Sequence, residues 1–173
     1  MSDKPRILAV GCHPDDLEIL CSGTLAKYVL NGHYVAMAVV ANGNVGHMLI
    51  EPPELAKIRE QEAKNAAELI GAEFFFLNVP DLMVGHSPDL HYKMTDVIRT
   101  AKPDIIITHS PDDYMLDHQA TGSLVFDCSF SASVPNWKTN MPYHPVVPPI
   151  FYMDNLAGIN FLPNDYVDIT DTI

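Results

Sequence analysis

Residues 6–31 read RILAVGCHPDDLEILCSGTLAKYVLN, and the fold follows from how this stretch divides. Arg6 to Gly11 is short and apolar, the pattern of a strand buried on both faces. Pro14 to Asn31 carries Ile19, Leu20, Leu25, Ala26, Val29 and Leu30 on one stripe and stops at Asn31-Gly32, which predicts a helix. Between them sit His13, Asp15, Asp16 and Glu18, polar groups concentrated at the C-terminal end of a strand.

The same unit repeats outward. Strands are expected over 34–41, 74–77 and 104–108, and helices over 53–70, 88–102 and 117–130. Pro53 opens the second helix and Gly71 follows its end, the usual placement of the two residues. The alternation predicts an α/β fold, a Rossmann-like and mostly parallel sheet with helices on both faces. Beyond Ser131 the texture changes, because six of the 14 prolines fall between Pro135 and Pro163. An irregular proline-rich C-terminal part is expected, with strand-like pieces at 149–153 and 165–169.

A chain of 173 residues suits a single domain over 1–173, large enough to bury a core without disulfides. The last residues, DITDTI, directly follow an expected strand with nothing to cover it, so the domain is expected to lack its C-terminal end. Hydrophobic residues at 47% and charged residues at 18% exclude disorder. Cys12, Cys21 and Cys128 have no paired spacing, and the N-terminus reads as no signal peptide, so a cytoplasmic protein with reduced thiols is expected. The net charge is −12, of which −8 lies in the last 71 residues. Such a surface repels phosphate backbones and anionic lipid, so neither nucleic acid nor membrane is expected as a partner. A homo-oligomer is left open.

Ligands of open parallel sheets bind where strands end, and two polar clusters fall there. One is His13-Pro14-Asp15-Asp16-Leu17-Glu18 after the first strand; the other runs from His109 to His118 after the fourth. Pro14 suits a first helical position, so Asp15 and Asp16 project differently from the first turn. One can share a metal with His13 while the other reaches a water. Acids at a helix start can also simply complement the helix dipole. His13, Asp16 and His118 together give two nitrogens and one oxygen, a catalytic zinc set with a position left for water. His109 is the weaker candidate, a histidine able to hydrogen-bond across the sheet ends. Asn42 to His47 is a glycine-bearing loop suited to closing over a site, or an ordinary turn. Arg59 and Glu62 lie three apart on the second helix, the spacing of a surface ion pair. No glycine-rich dinucleotide fingerprint and no phosphate-binding loop are found.

With these residues in view, the chain resembles the LmbE/PIG-L family of zinc-dependent N-deacetylases, which remove acetyl groups from N-acetylglucosamine-type amides. The matching stretches are AVGCHPDDLEILCSGTLAKYVLNGH (9–33), VVANGNVGH (39–47), IREQEAKNAAELIGAEFFFLNVPD (58–81) and PDIIITHSPDDYMLDHQATGSLVFD (103–127). FYMDN (151–155) and FLPNDYVDITDT (161–172) match in style. The resemblance implies Zn2+ held by His13, Asp16 and His118, with Asp15 as general base and Arg59 near the substrate. It also implies a small-molecule N-acetylated sugar conjugate as substrate. Asp117, beside His118, is expected to orient this assembly. Two departures stand out: Met115 occupies a position where the family commonly has histidine, and family members usually continue past the DITDT segment into a further helix. The competing expectation is a non-catalytic, metal-containing binding or structural protein with a decayed site.

Overall fold

The computed structural model describes residues 4–172. Five strands form one sheet: β1 (Ile7–Gly11), β2 (Val35–Ala41), β3 (Glu73–Val79), β4 (Ile105–Thr108) and β5 (Ile150–Tyr152). The order is β3-β2-β1-β4-β5 and every pairing is parallel. Five helices accompany them: α1 (Asp16–Leu20), α2 (Ser22–Leu30), α3 (Pro52–Ile70), α4 (Pro88–Ala101) and α5 (Leu116–Ser131).

Alternate strand residues feed two cores, as the two-residue period of a strand requires. Leu8, Val10, Ala36, Ala38 and Ile106 pack under α4 and α5 with Met94, Ile98, Leu124 and Val125. Ile7, Ala9, Val35, Met37 and Ile107 pack on the other face under α1 to α3 with Leu17, Leu25 and Ala67. β1 and β2 are buried at every position, which explains their unbroken apolar runs. The order in which strands are added reverses between β1 and β4, which run parallel, so the loops following these strands face one crevice.

Two expectations change, and one that was left open narrows. The helix foreseen over 14–31 is two, because the backbone at Cys21 leaves helical geometry (φ −146°, ψ 5°). The cause is local: Ser22 Oγ donates to the Glu18 carbonyl at 2.6 Å, and a Ser-Gly pair is a common kink site. The strand expected over 165–169 does not form. That segment pairs with no strand; Ile169 packs against Gly23, and Thr172 donates to the Gly23 carbonyl on α2. The loop after β2 is tied down and is no free flap: Asp81 accepts from the N–H groups of Gly43 and Val45, at 2.7 and 3.3 Å.

Candidate metal centre and active-site cleft

The loop after β1 builds around one carboxylate. Asp16, 3% exposed, turns its Oδ2 back onto the chain, where it accepts from the His13 N–H at 2.7 Å and the Cys12 N–H at 3.0 Å. His109 Nε2 lies 3.1 Å from the same oxygen. Oδ2 is thereby saturated, and Oδ1 is left facing His118 Nε2 at 3.4 Å. His118 arrives on α5, whose first turn comes close because Gly122 lies against the end of β4; a Cβ at 122 would sit 2.5 Å from the His109 carbonyl oxygen.

His13 and His118, 105 residues apart, meet with Nδ1 and Nε2 at 3.2 Å, and the free Oδ1 of Asp16 lies 3.4 Å from the same His118 nitrogen. Ligand atoms sharing a tetrahedral zinc at about 2.0–2.1 Å stand roughly 3.3 Å apart, so the donor set and its spacing fit that ion. The outer nitrogen of each histidine faces a carboxylate, as in carboxylate–histidine–metal arrangements. His118 Nδ1 is 3.1 Å from Asp113 Oδ1, and His13 Nε2 is 3.4 Å from Asp117 Oδ2. Asp117 also accepts from the Leu82 N–H at 2.7 Å, so its orientation is fixed from a third loop.

Among the described residues, two overlapping groups have metal-binding spacing: Cys12, His13 and Asp16, and Asp16, His109 and His118. Access separates the candidates. His13, Asp16 and His118 line a cavity of about 620 Å³, while Cys12 and His109 are fully buried and do not reach it. Burial also pushes the Cys12 thiol up, against formation of the thiolate a metal would need.

The charges show a site that favours positive charge. Burial pulls His13 down, but its hydrogen bonds to Asp16 and Cys12 outweigh that and push it up to about 11. For Asp16, burial pushes upward, yet the hydrogen bonds from His109 and His13 hold it well below the usual carboxylate range. His118 is lowered, by burial first.

The sequence-expected residues converge here. Asp15 and Arg59 line the same cavity, with Arg59 Nη2 2.7 Å from Asp15 Oδ2 and Nη1 2.7 Å from Glu62 Oε2. Arg59 also donates to the Pro14 carbonyl. Gly43, at φ +69°, leaves room for it: a Cβ there would meet Arg59 Cγ at 2.9 Å. Met115 lines the cavity beside Tyr114, whose ring stands edge-on to His118 at 5.7 Å.

The parts played by Asp113 and His109 in holding the site were not foreseen. Asp113 is 3% exposed; its Oδ1 holds His118, and its Oδ2 lies 3.8 Å from His109 Nδ1. His109 and His118 stack at 4.1 Å, so Asp16, His109, Asp113 and His118 close a ring of alternating carboxylates and imidazoles. The one sequence signal was the i, i+4 spacing of His109 and Asp113.

A family model described as "PIG-L: GlcNAc-PI de-N-acetylase" matches residues 8–129, which includes all of these groups. The chain belongs to the PIG-L family. Among curated relatives of this PIG-L chain is the diacetylchitobiose deacetylase of Thermococcus kodakarensis, 26% identical over 99% of the chain and 66% of that protein. Another is the uncharacterised deacetylase YaiS of Escherichia coli, 34% identical over 64% of the chain and 53% of that protein. Among solved structures, the N,N'-diacetylchitobiose deacetylase of Pyrococcus horikoshii in complex with an inhibitor superposes with a TM-score of 0.85. It is 26% identical, over 98% of this chain and 66% of that one. The PIG-L chain therefore spans between about half and two thirds of the length of these relatives.

Proposed function

We propose that this chain hydrolyses the acetamide of an N-acetylated amino sugar, with a zinc ion held by His13, Asp16 and His118. The observation that supports the reading most is the meeting of His13, Asp16 and His118 at the wall of a cavity that Asp15 also lines, in a PIG-L chain. The deacetylase names of most of its relatives point to the same bond, with a 4-oxalmesaconate hydratase also among them.

The roles follow from the surroundings of each group. When bound, zinc would supply Lewis acidity toward water and the acetyl carbonyl. Asp15, oriented by Arg59, takes the proton of the attacking water and returns it to the departing amine. Asp113 and Asp117 hold the outer nitrogens of His118 and His13, which leaves the inner ones as the atoms that would ligate a metal. Met115 can supply no proton or hydrogen bond to the developing oxyanion. Tyr114, next to it in sequence and lining the same cavity, carries a donor that can replace it; burial first, then Asp113 and Asp16, raises its pKa, so the phenol stays protonated. His47 also lines the cavity, and because its Nδ1 accepts from the N–H groups of Leu49 and Ile50, its Nε2–H is a second donor on that wall. Three buried free cysteines suit a reducing compartment such as the cytoplasm, and no described helix is long and apolar enough to cross a membrane.

The test is elemental analysis of the purified protein with a free-amine assay on N,N'-diacetylchitobiose. Activity lost to a chelator and restored by zinc is the expected result. A zinc-loaded protein that releases no amine from any N-acetylated sugar would leave the non-catalytic reading.

A further inference from the structure

The walls of the cleft differ in how far they reach into solvent. Asp16 and His118, each 3% exposed, form its floor. Its mouth is apolar. Val45 from the loop after β2, Leu82 from the loop after β3 and Leu156 from the loop after β5 line the same cavity, and each is half exposed or more. Met83, beside Leu82, is exposed as well. Apolar residues scattered singly over a surface need no explanation, but three loops that converge on one cavity make a patch of the kind that marks a ligand groove. Leu82, Met83 and Leu156 also fall outside every stretch on which the family resemblance rests, so the shared catalytic motifs do not account for them.

Leu82 carries a second signal. Its backbone sits at φ +65°, which glycine adopts freely and leucine only under strain. The conformation has a use: the Leu82 N–H donates to Asp117 Oδ2 at 2.7 Å, and that oxygen faces His13. Glycine would serve this backbone role without strain, and a side chain 70% exposed recovers little by burial. What leucine adds is apolar surface at the cavity mouth.

We infer that the mouth of the cleft is an apolar subsite, centred on Leu82, that binds an alkyl or aryl group carried by the amino sugar. The inference rests on the amino-sugar reading above and adds the second half of the substrate. Continuity with the cavity that Asp15, Asp16 and His118 line is what assigns this patch to the substrate. Two attachments meet that chemistry, an apolar aglycone on the glycosidic oxygen and a longer N-acyl chain, and the experiment separates them.

The experiment measures binding and amine release on the same zinc-loaded samples. One pair of probes is the methyl and hexyl β-glycosides of N-acetylglucosamine; the other is N-acetylglucosamine and N-hexanoylglucosamine. In one of the pairs the longer member should bind at least tenfold more tightly, by ligand-observed NMR or calorimetry, because its added methylenes leave water. Leu82→Gly should shrink that gap at least fivefold with the fold intact by circular dichroism, since glycine takes φ +65° without strain. Leu156→Ser, on a separate loop, should shrink it severalfold. Equal binding of the short and long members in both pairs would overturn the inference, as would a gap unchanged in both variants. A dimer that Leu82→Gly dissociates, with no preference for the longer probes, would assign the face to a second copy and overturn it too. A Leu82-dependent preference without amine release would sink the deacetylase reading and keep the subsite. Amine release with no preference would do the opposite, and binding of none of the probes would overturn both.

Discussion

The two loops that meet in the cleft are held by different means. After β1, the carboxylate of Asp16 is clamped by the backbone N–H groups of Cys12 and His13, which any non-proline residue at those positions would supply. After β4, His118 is clamped by one side chain, Asp113, whose second oxygen faces His109. The first loop is therefore robust to changes in its neighbours and fragile only at Asp16 itself. The second depends on a chain of side chains, any one of which can be deleted. Asp15 and Asp16, adjacent in sequence, show the same contrast on a smaller scale. Asp16 is buried and committed to the scaffold, while Asp15, its side chain 53% exposed, is held by Arg59 alone.

Substitutions can break or sharpen this comparison. The largest effect is expected from Asp16→Ala, which removes a proposed ligand, strands the His13 N–H and leaves the Cys12 N–H with His109 Nε2 as its acceptor. Zinc should be lost, with roughly 3–5 kcal/mol of stability, read by elemental analysis and denaturant midpoint. Retention of zinc would mean that the backbone clamp is not what organises the first loop. Asp15→Asn should keep zinc and cost about 10²–10⁴ in kcat, the usual range for a general base. Asp113→Ala should weaken zinc about 10–100-fold in chelator competition, the range for carboxylates that support ligand histidines. Asp113→Asn keeps an acceptor for His118 and should recover part of that loss; no recovery would reduce Asp113 to packing. The smallest effect is a gain. Met115→His should raise kcat about tenfold, or roughly 1.4 kcal/mol. If Tyr114 already serves the oxyanion, that gain should appear mainly in the Tyr114→Phe background.

The same contrast explains what could be read from the residues. Strand and helix positions were legible because β1, β2 and β4 carry runs that only a doubly buried strand needs, and because proline and glycine mark the ends of α3. The first loop was legible as well, since His13, Asp15 and Asp16 sit within four residues and act through their own backbone. Asp113 was not, because its value lies in distances to His109 and His118 that only the approach of α5 at Gly122 creates. Arg59 showed its local partner, Glu62, three residues on; its link to Asp15 spans 44 residues and needs the folded crevice. The segment 165–169 misled for the opposite reason. DYVDI carries the aromatic and β-branched residues of a strand, but a strand exists only when a neighbour accepts its hydrogen bonds, and here Asp168 and Ile169 lie on α2.

The position of the site across β1 and β4 also sets a timetable during synthesis. His13 and Asp16 leave the ribosome 105 and 102 residues ahead of His118. At roughly 5–20 residues per second, that is about 5–20 s in which the first loop exists without its partner. Over that interval the nascent chain offers an ion two ligands and no cavity. Tight capture must wait until β4 docks beside β1 and α5 has closed over it. On the proposed ligand set, metal loading would be a late event in the birth of this protein, and a nascent chain stalled before residue 118 would hold metal weakly, however abundant the metal.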